Sequence, residues 1–341
     1  MRRVISIKEW AKDFLPPPLV GVIRSVRLNK QLYLAYLYDL KRFRQHSSSM
    51  DPFGSKQNLA SRITESYHNV EKGLSLPTPR PGFGASMIQK LLAYLDRYIV
   101  TYGWDELCSA SVAALVSYVE FNRGVGLSDE QIPSLVSILS MARRFEGILP
   151  PGGVREVERE DVLAAIGDVG IGFFESRSSV RQFADGAVSS TDIEFAARCA
   201  QKSPAVCNRQ YSRLHVISDP SRIGAALEIQ GGARGFSESI PNLAVITTDL
   251  RNFWGPGERM QPWTDGGLFA MSFILGLHAR GVGSVCLNWS KTPEVDRAFR
   301  RVVEIPDQEV IIMLVGFGQL RDSYRVAMSP RVKLSETLDQ T

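Results

Sequence analysis

The chain has 341 residues, of which 44% are hydrophobic and 22% charged, and a formal charge of +4. At roughly 100–200 residues per domain this length suggests two domains, and the composition excludes a disordered or fibrous chain. No apolar run approaches the ~18–20 residues of a membrane span, and Lys8, Glu9, Lys12 and Asp13 break the first apolar residues where a secretory signal would need them continuous.

The charge is uneven. Residues 1–48 hold ten basic side chains (Arg2, Arg3, Lys8, Lys12, Arg24, Arg27, Lys30, Lys41, Arg42 and Arg44) against Glu9, Asp13 and Asp39. A basic, partly amphipathic segment can touch anionic lipid or nucleic acid, though a solvated helical face or docking surface is its commoner use. No nucleic-acid partner is expected; peripheral membrane contact stays open as the second reading of this segment.

Apolar residues then recur at helical spacing over Leu32–Phe43, Met87–Val100 and Asp105–Phe121. Ser128, followed by Asp129 and Glu130, reads as the N-cap of a further helix, with Pro133 early enough to be tolerated. Between Lys72 and Gly84, Pro77, Pro79, Pro81, Gly82 and Gly84 predict a loop. The run Leu149-Pro150-Pro151-Gly152-Gly153 marks the expected boundary between a helical domain, 1–150, and a second domain, 151–341.

After residue 170 the pattern changes. Strands are predicted at Leu214–Ser218, Leu243–Thr247, Ser284–Trp289 and Val310–Gly316, and helices at Ser190–Lys202, Ser221–Ile229, Asp265–Arg280 and Thr292–Val302. This alternation on its own suggests a parallel sheet. Asp265–Arg280 is apolar on nearly every side, as a buried central helix would be, and Gly281 suits its C-cap. Cys108, Cys199, Cys207 and Cys286 form no CxxC pair, so isolated thiols in a reducing cytoplasm are expected rather than a zinc or disulfide scaffold.

Four stretches carry the chemistry. They are Arg177-Ser178-Ser179-Val180-Arg181-Gln182-Phe183, Ser203-Pro204-Ala205-Val206-Cys207-Asn208-Arg209-Gln210, the long helix with Gly281-Val282-Gly283-Ser284, and Ser329-Pro330-Arg331-Val332-Lys333. In this order and spacing the set resembles the nitroreductase family over residues 170–335. The resemblance implies an α+β fold, a mixed sheet wrapped by helices, preceded here by a smaller all-helical domain. It implies FMN as cofactor, NADH or NADPH as transient reductant, a small-molecule substrate, and a homodimer with its flavin sites at the subunit interface.

The residue types suit that cofactor. A phosphate dianion needs fixed cations and donors, for which Arg177 and Arg331 are the candidates, with Ser329 and Lys333 as helpers; Ser178 joins them in the cofactor-binding set that the resemblance implies. Reduction gathers negative charge at one edge of the flavin ring, where the family position matches Arg181. Ser179 would bond the ribityl chain or ring edge. Asn208 has a donor and an acceptor for the pyrimidine side, beside Pro204 and Ala205. Gly283 and Ser284 would let backbone approach the cofactor. No catalytic acid or base is implied, because flavin N5 carries the chemistry. Singly, each residue has a plainer explanation: surface arginines at a helix start, a turn asparagine, a helix-ending glycine pair, a solvated C-terminal arginine.

The sequence departs from the family in Val206-Cys207, in Tyr211 where Pro-Trp is common, and in its N-terminal half. That half contains His68-Asn69-Val70-Glu71-Lys72-Gly73-Leu74 and Pro79-Arg80-Pro81-Gly82-Phe83-Gly84. It is similar to the extension of a nitroreductase-like subgroup associated with bacterial polysaccharide-synthesis gene neighbourhoods. His68 and Glu71 share a helix face, as a proton relay, a ligand pair or a structural pair capping the Pro-rich loop. No GxGxxG, GxxxxGK[ST] or HExxH motif occurs. The leading expectation is hydride transfer from NAD(P)H through FMN to an electrophilic acceptor, with nitroaromatics and quinones as test substrates. An FMN-dependent dehydrogenase or oxidase, and a non-catalytic flavin-binding regulatory protein, are the alternatives.

Overall fold

A computed structural model describes residues 16–327, 331 and 333–339, apart from 77, 146, 148, 151, 156–158, 161, 162, 164–166 and 168. Arg2, Arg3, Lys8, Lys12, Pro151 and Ser329 therefore lie outside the described residues.

The N-terminal region is helical. It comprises α1 (Pro17–His46), α2 (Lys56–Leu74), α3 (Ala85–Tyr102), α4 (Glu106–Gly124) and α5 (Leu135–Arg143). Ser55 and Asp105 start α2 and α4 by accepting the backbone N–H of Asn58 and Leu107. Leu59, Ile63, Val70 and Leu74 recur on one face of α2 and pack with Leu91, Leu95, Val112, Leu115 and Ile138 into one core. Ser128 does form a capping box with Gln131, but around a single 3-10 turn, Asp129–Gln131. The helix proper begins only at Leu135, because a residue preceding proline is held extended, as Ile132 is at ψ 117°.

The Pro-rich loop is shorter than expected, since α2 runs on to Leu74. It is fastened by α4, where Asn122 Oδ1 accepts the Gly82 N–H at 2.6 Å and the Tyr118 hydroxyl donates to the Phe83 carbonyl at 2.9 Å. The Phe83 ring covers Gly73, where a Cβ would meet it at 2.2 Å. His68 and Glu71 face each other on α2, Nδ1 to Oε2 at 3.5 Å, and the Glu71 carbonyl accepts the N–H of Ser75 at the start of the loop at 2.9 Å.

The remainder contains α6 (Ile171–Ser176), α7 (Ser190–Gln201), β1 (Ser212–Ile217), α8 (Pro220–Gln230), β2 (Asn242–Asp249), α9 (Gln261–Ala279), β3 (Val282–Asn288), α10 (Pro293–Val303), β4 (Glu309–Gln319) and the short α11 (Leu334–Thr337). The sheet order is β1-β2-β4-β3, and every neighbouring pair is antiparallel. β2 and β3 run parallel to each other across β4, joined by α9, which is why the local alternation read as a parallel sheet. Among the described residues the parallel contribution is a single bridge, Ser179 to Ser284, at the outer edge of β3. One sheet face packs on α8 and α10 through Val245, Val285, Leu314 and Phe299. The other packs on α7 and α9 through Ala244, Phe273, Leu277 and Phe317.

The expectation of a wholly buried α9 needs correction. Phe273, Ile274 and Leu277 are buried, but Trp263, Leu268 and Met271 are 38–44% exposed. One chain covers only half of this apolar helix. Gly281 follows it at φ 68°, a left-handed cap with no Cβ penalty. The C-terminal turns of α1 are pinned to the sheet region: Tyr38 donates to Asp296 at 2.8 Å, and Arg42 donates to the carbonyls of Asp307 and Glu309. Its N-terminal turns leave Leu19, Val22, Ile23 and Val26 exposed.

Candidate functional site

The Arg177–Phe183 segment leaves α6 and runs along the outer edge of β3. The Val180 N–H donates to the Ser284 carbonyl at 2.9 Å, and the Ala184 N–H to the Gln319 carbonyl at 2.9 Å. Val180 and Phe183 are buried anchors. Just ahead of the segment, the last residue of α6 rests on the end of α9, with Ser176 Oγ 2.9 Å from His278 Nε2. Anchored in this way, Arg177, Ser178, Ser179 and Arg181 line a cavity of about 510 Å3 that Phe174, Glu175, Ala327 and Arg331 complete. Three guanidinium groups and two hydroxyls, brought together from the Arg177 segment and from Arg331 near the end of the chain, make a donor set for a dianion such as phosphate. Arg181 also lies 5.8 Å over the Phe236 ring, and its carbonyl accepts the Ser239 hydroxyl at 3.0 Å.

Gly283 and Ser284 support this wall from behind. A Cβ at Gly283 would meet Leu320 Cδ2 at 2.7 Å and the Val180 side chain at 3.2 Å, so any larger residue pushes on the segment's anchors. Ser284 is buried, and its carbonyl is taken by Val180. Lys333 is exposed and does not line the cavity. Cys286, on β3, was not singled out by sequence. It is exposed at the surface of this chain, yet partial enclosure of its sulfur holds the thiol pKa above the ordinary value, against a smaller opposing pull from the nearby Arg177 guanidinium.

Pro204 and Ala205 belong to a second cavity, of about 710 Å3, between the end of α7, β1 and the start of α9. Arg198, Gln210, Tyr211, Arg213, His215 and Asp265 also line it. Asp265 organises the turn, accepting the Val206 N–H at 3.1 Å and the Gln261 amide at 2.8 Å. Burial raises its pKa, and these two bonds oppose the shift. Asn208 follows at φ 52°, its side-chain oxygen accepting from Gln210 at 2.9 Å. Asp265 is invisible to motif reading, because it marks the helix only once the turn has folded against it.

The two groups do not meet within one chain. Asp265 touches the Val206 turn and His278 touches α6, so at 1.5 Å per helical residue the clusters sit roughly 20 Å apart along α9. Among the described residues no group of three or more His, Cys, Asp or Glu side chains could hold a metal, and no helix is long and apolar enough to cross a membrane.

Residues 228–319, from the end of α8 through β4, match the sequence model of the nitroreductase family. The matched segment contains Gly283 and Ser284 and begins after the Arg177 and Pro204 stretches. Over 151 residues the chain is 26% identical to an Archaeoglobus fulgidus protein provisionally named NADH dehydrogenase/NAD(P)H nitroreductase, covering 43% of this chain and 83% of that one. Among solved structures it is similar to the FMN-dependent nitroreductase of Clostridium difficile, at 17% identity over 47% of this chain and 92% of that one, with a TM-score of 0.41. It is also similar to a provisionally named nitroreductase of Desulfovibrio desulfuricans in complex with FMN, at 17% identity over 50% and 95%, with a TM-score of 0.44.

Proposed function

We propose that this protein is an FMN-dependent oxidoreductase that takes hydride from NADH or NADPH and delivers it to a small electrophilic acceptor. The observation that carries this reading is the convergence of Arg177, Ser178, Ser179, Arg181 and Arg331 on one cavity, in a chain with a nitroreductase-family segment.

Arg177 and Arg331, with Ser178, would hold the phosphate; Ser329 and Lys333 are proposed as helpers on the same C-terminal arm. Ser179 would bond the ribityl chain, and Arg181 would face the ring edge, where a fixed cation favours the reduced, anionic form. Bound FMN supplies the two-electron chemistry, so the protein's part is to bind, orient and set the electrostatics. The acceptor remains a class, tested with nitroaromatics and quinones. The His68–Gly84 resemblance alone suggests a setting in bacterial polysaccharide synthesis.

The same reading makes the protein a homodimer in the cytoplasm, with residues 1–150 a helical domain and 151–341 the flavin domain. The exposed apolar side chains of α9, with Phe195 on α7 and Phe174 on α6, give a second copy a surface to cover. Pro204, Ala205 and Asn208 of one copy would then complete the Arg177 cavity of the other. The direct test is uptake of FMN by the purified protein, read as flavin absorption retained after gel filtration, followed by bleaching with NADH or NADPH. Protein that stays colourless in excess FMN removes the proposal.

A further inference from the structure

We infer that the N-terminal helical region is a working part of the flavin site: Arg62 on α2 positions the Val206–Tyr211 loop, and through it Asn208, by clamping Trp254 against Arg209. This rests on the flavin reading of Asn208 given above.

The loop is in a conformation its residues do not choose. Cys207, Asn208 and Gln210 stand at φ 49°, 52° and 54°, and of these only asparagine tolerates the left-handed region well. Such a backbone persists only where its surroundings over-determine it. The restraint begins at Arg209, beside Asn208. Its side chain is buried, and its two terminal nitrogens reach Glu258 at 3.0 and 2.6 Å while one also donates to the Asn252 carbonyl. Glu258 in turn accepts the Trp254 N–H at 2.8 Å. The Arg209 guanidinium carbon lies 3.8 Å from the centre of the Trp254 ring.

Arg62 completes the arrangement from the other region of the chain, its guanidinium carbon 3.9 Å from the same ring centre. Both guanidinium groups therefore pack on one indole, which ties α2 to the side chain next to Asn208. Each cation meets the negative face of the ring. Glu258 and Glu65 lie near enough to both arginines to offset their mutual repulsion. Neighbouring α2 side chains fasten the same ground: Asn58 donates to the Arg251 carbonyl at 2.9 Å and Gln57 to Asn252 Oδ1 at 3.2 Å. Tyr211, closing the loop, faces Thr64 and Gln57. Arg62 touches neither cavity, so it is a positioning residue, and its effect must pass through the loop.

A double-mutant cycle on the full-length protein tests this, with the FMN dissociation constant read by quenching of flavin fluorescence. Arg62→Met keeps the aliphatic stem and removes the stacked plane. It should weaken FMN about tenfold in the natural background and about twofold or less in an Asn208→Ala background, because the residue it positions is then already gone. Arg62→Lys should not restore affinity, since an ammonium cannot stack as a plane. Trp254→Phe, with a smaller ring, provides the same cycle should Arg62→Met not fold. Equal weakening in both backgrounds, or none in either, overturns the inference while leaving the flavin reading intact. Natural protein that takes up no FMN overturns the flavin reading and this inference with it.

Discussion

Removing the two cations that converge from opposite ends of the flavin region should abolish recognition of phosphate while sparing recognition of the ring. A hydrogen bond to a charged group contributes about 1.5–3 kcal/mol. Arg177 is partly buried and should approach that value, whereas Arg331 is exposed and screened by water, so its share is smaller. Together Arg177→Ala and Arg331→Ala should cost roughly 2–4 kcal/mol, or about 30- to 700-fold in affinity at 1.4 kcal/mol per decade. The assay titrates cofactor-free protein with FMN and, separately, with riboflavin, which lacks the phosphate. FMN binding should fall by that factor and riboflavin binding should stay within about twofold of the natural protein. Equal losses for both ligands, or no loss for FMN, would show that these arginines do not meet a phosphate.

Gly283→Val should press on Leu320 and Val180, costing about 1–3 kcal/mol in denaturant unfolding and weakening FMN; unchanged stability would mean the Arg177 segment does not seat there. Trp263→Asp with Met271→Asp should convert a dimer to a monomer in analytical ultracentrifugation and lower FMN affinity, whereas an intact dimer would place the interface elsewhere. Glu309 is nearly inaccessible. Burial works against its charge, but hydrogen bonds from His215 and Thr247 and the nearby His215 and Arg213 charges win and hold its pKa below the usual carboxylate value. A depressed folded pKa gives stability that is complete above the unfolded value of about 4.3 and is lost as pH falls through the folded one. Glu309→Gln should therefore flatten the unfolding free energy between about pH 5 and pH 3; an unaltered acid limb would exclude this carboxylate.

The four strands and the helices α7 to α10 were legible because each carries its own apolar rhythm, and β2 and α9 differ from expectation only at their ends; the short α6 and α11 were not read. Sheet direction was not, since the insertion of β4 between β2 and β3 is a long-range event that no local alternation records. α2 was overlooked as a complete helix because its buried face mixes Leu59, Ile63, Val70 and Leu74 with Ser61, Thr64 and Ser66. The capping Ser55 and the spacing of its four large apolar residues were the available signal. For the site, Arg177, Ser179, Arg181 and Arg331, which motif reading groups together, line one cavity. That reading placed Asn208 with them, although in a single chain α9 keeps that residue at the opposite end. Trp254, Arg62 and Asp265 owe their roles to partners dozens to nearly two hundred residues away, so no window of sequence contains them.

The Arg177–Phe183 segment does more than present arginines: it occupies the outer edge of β3, where unsatisfied N–H and C=O groups would otherwise invite strands from other molecules. Whatever loosens that segment bares an adhesive border as well as dismantling a binding wall. Lost flavin and lost soluble yield should therefore travel together, and variants of this stretch screened only for colour will be scarce in the soluble fraction for a reason unrelated to chemistry.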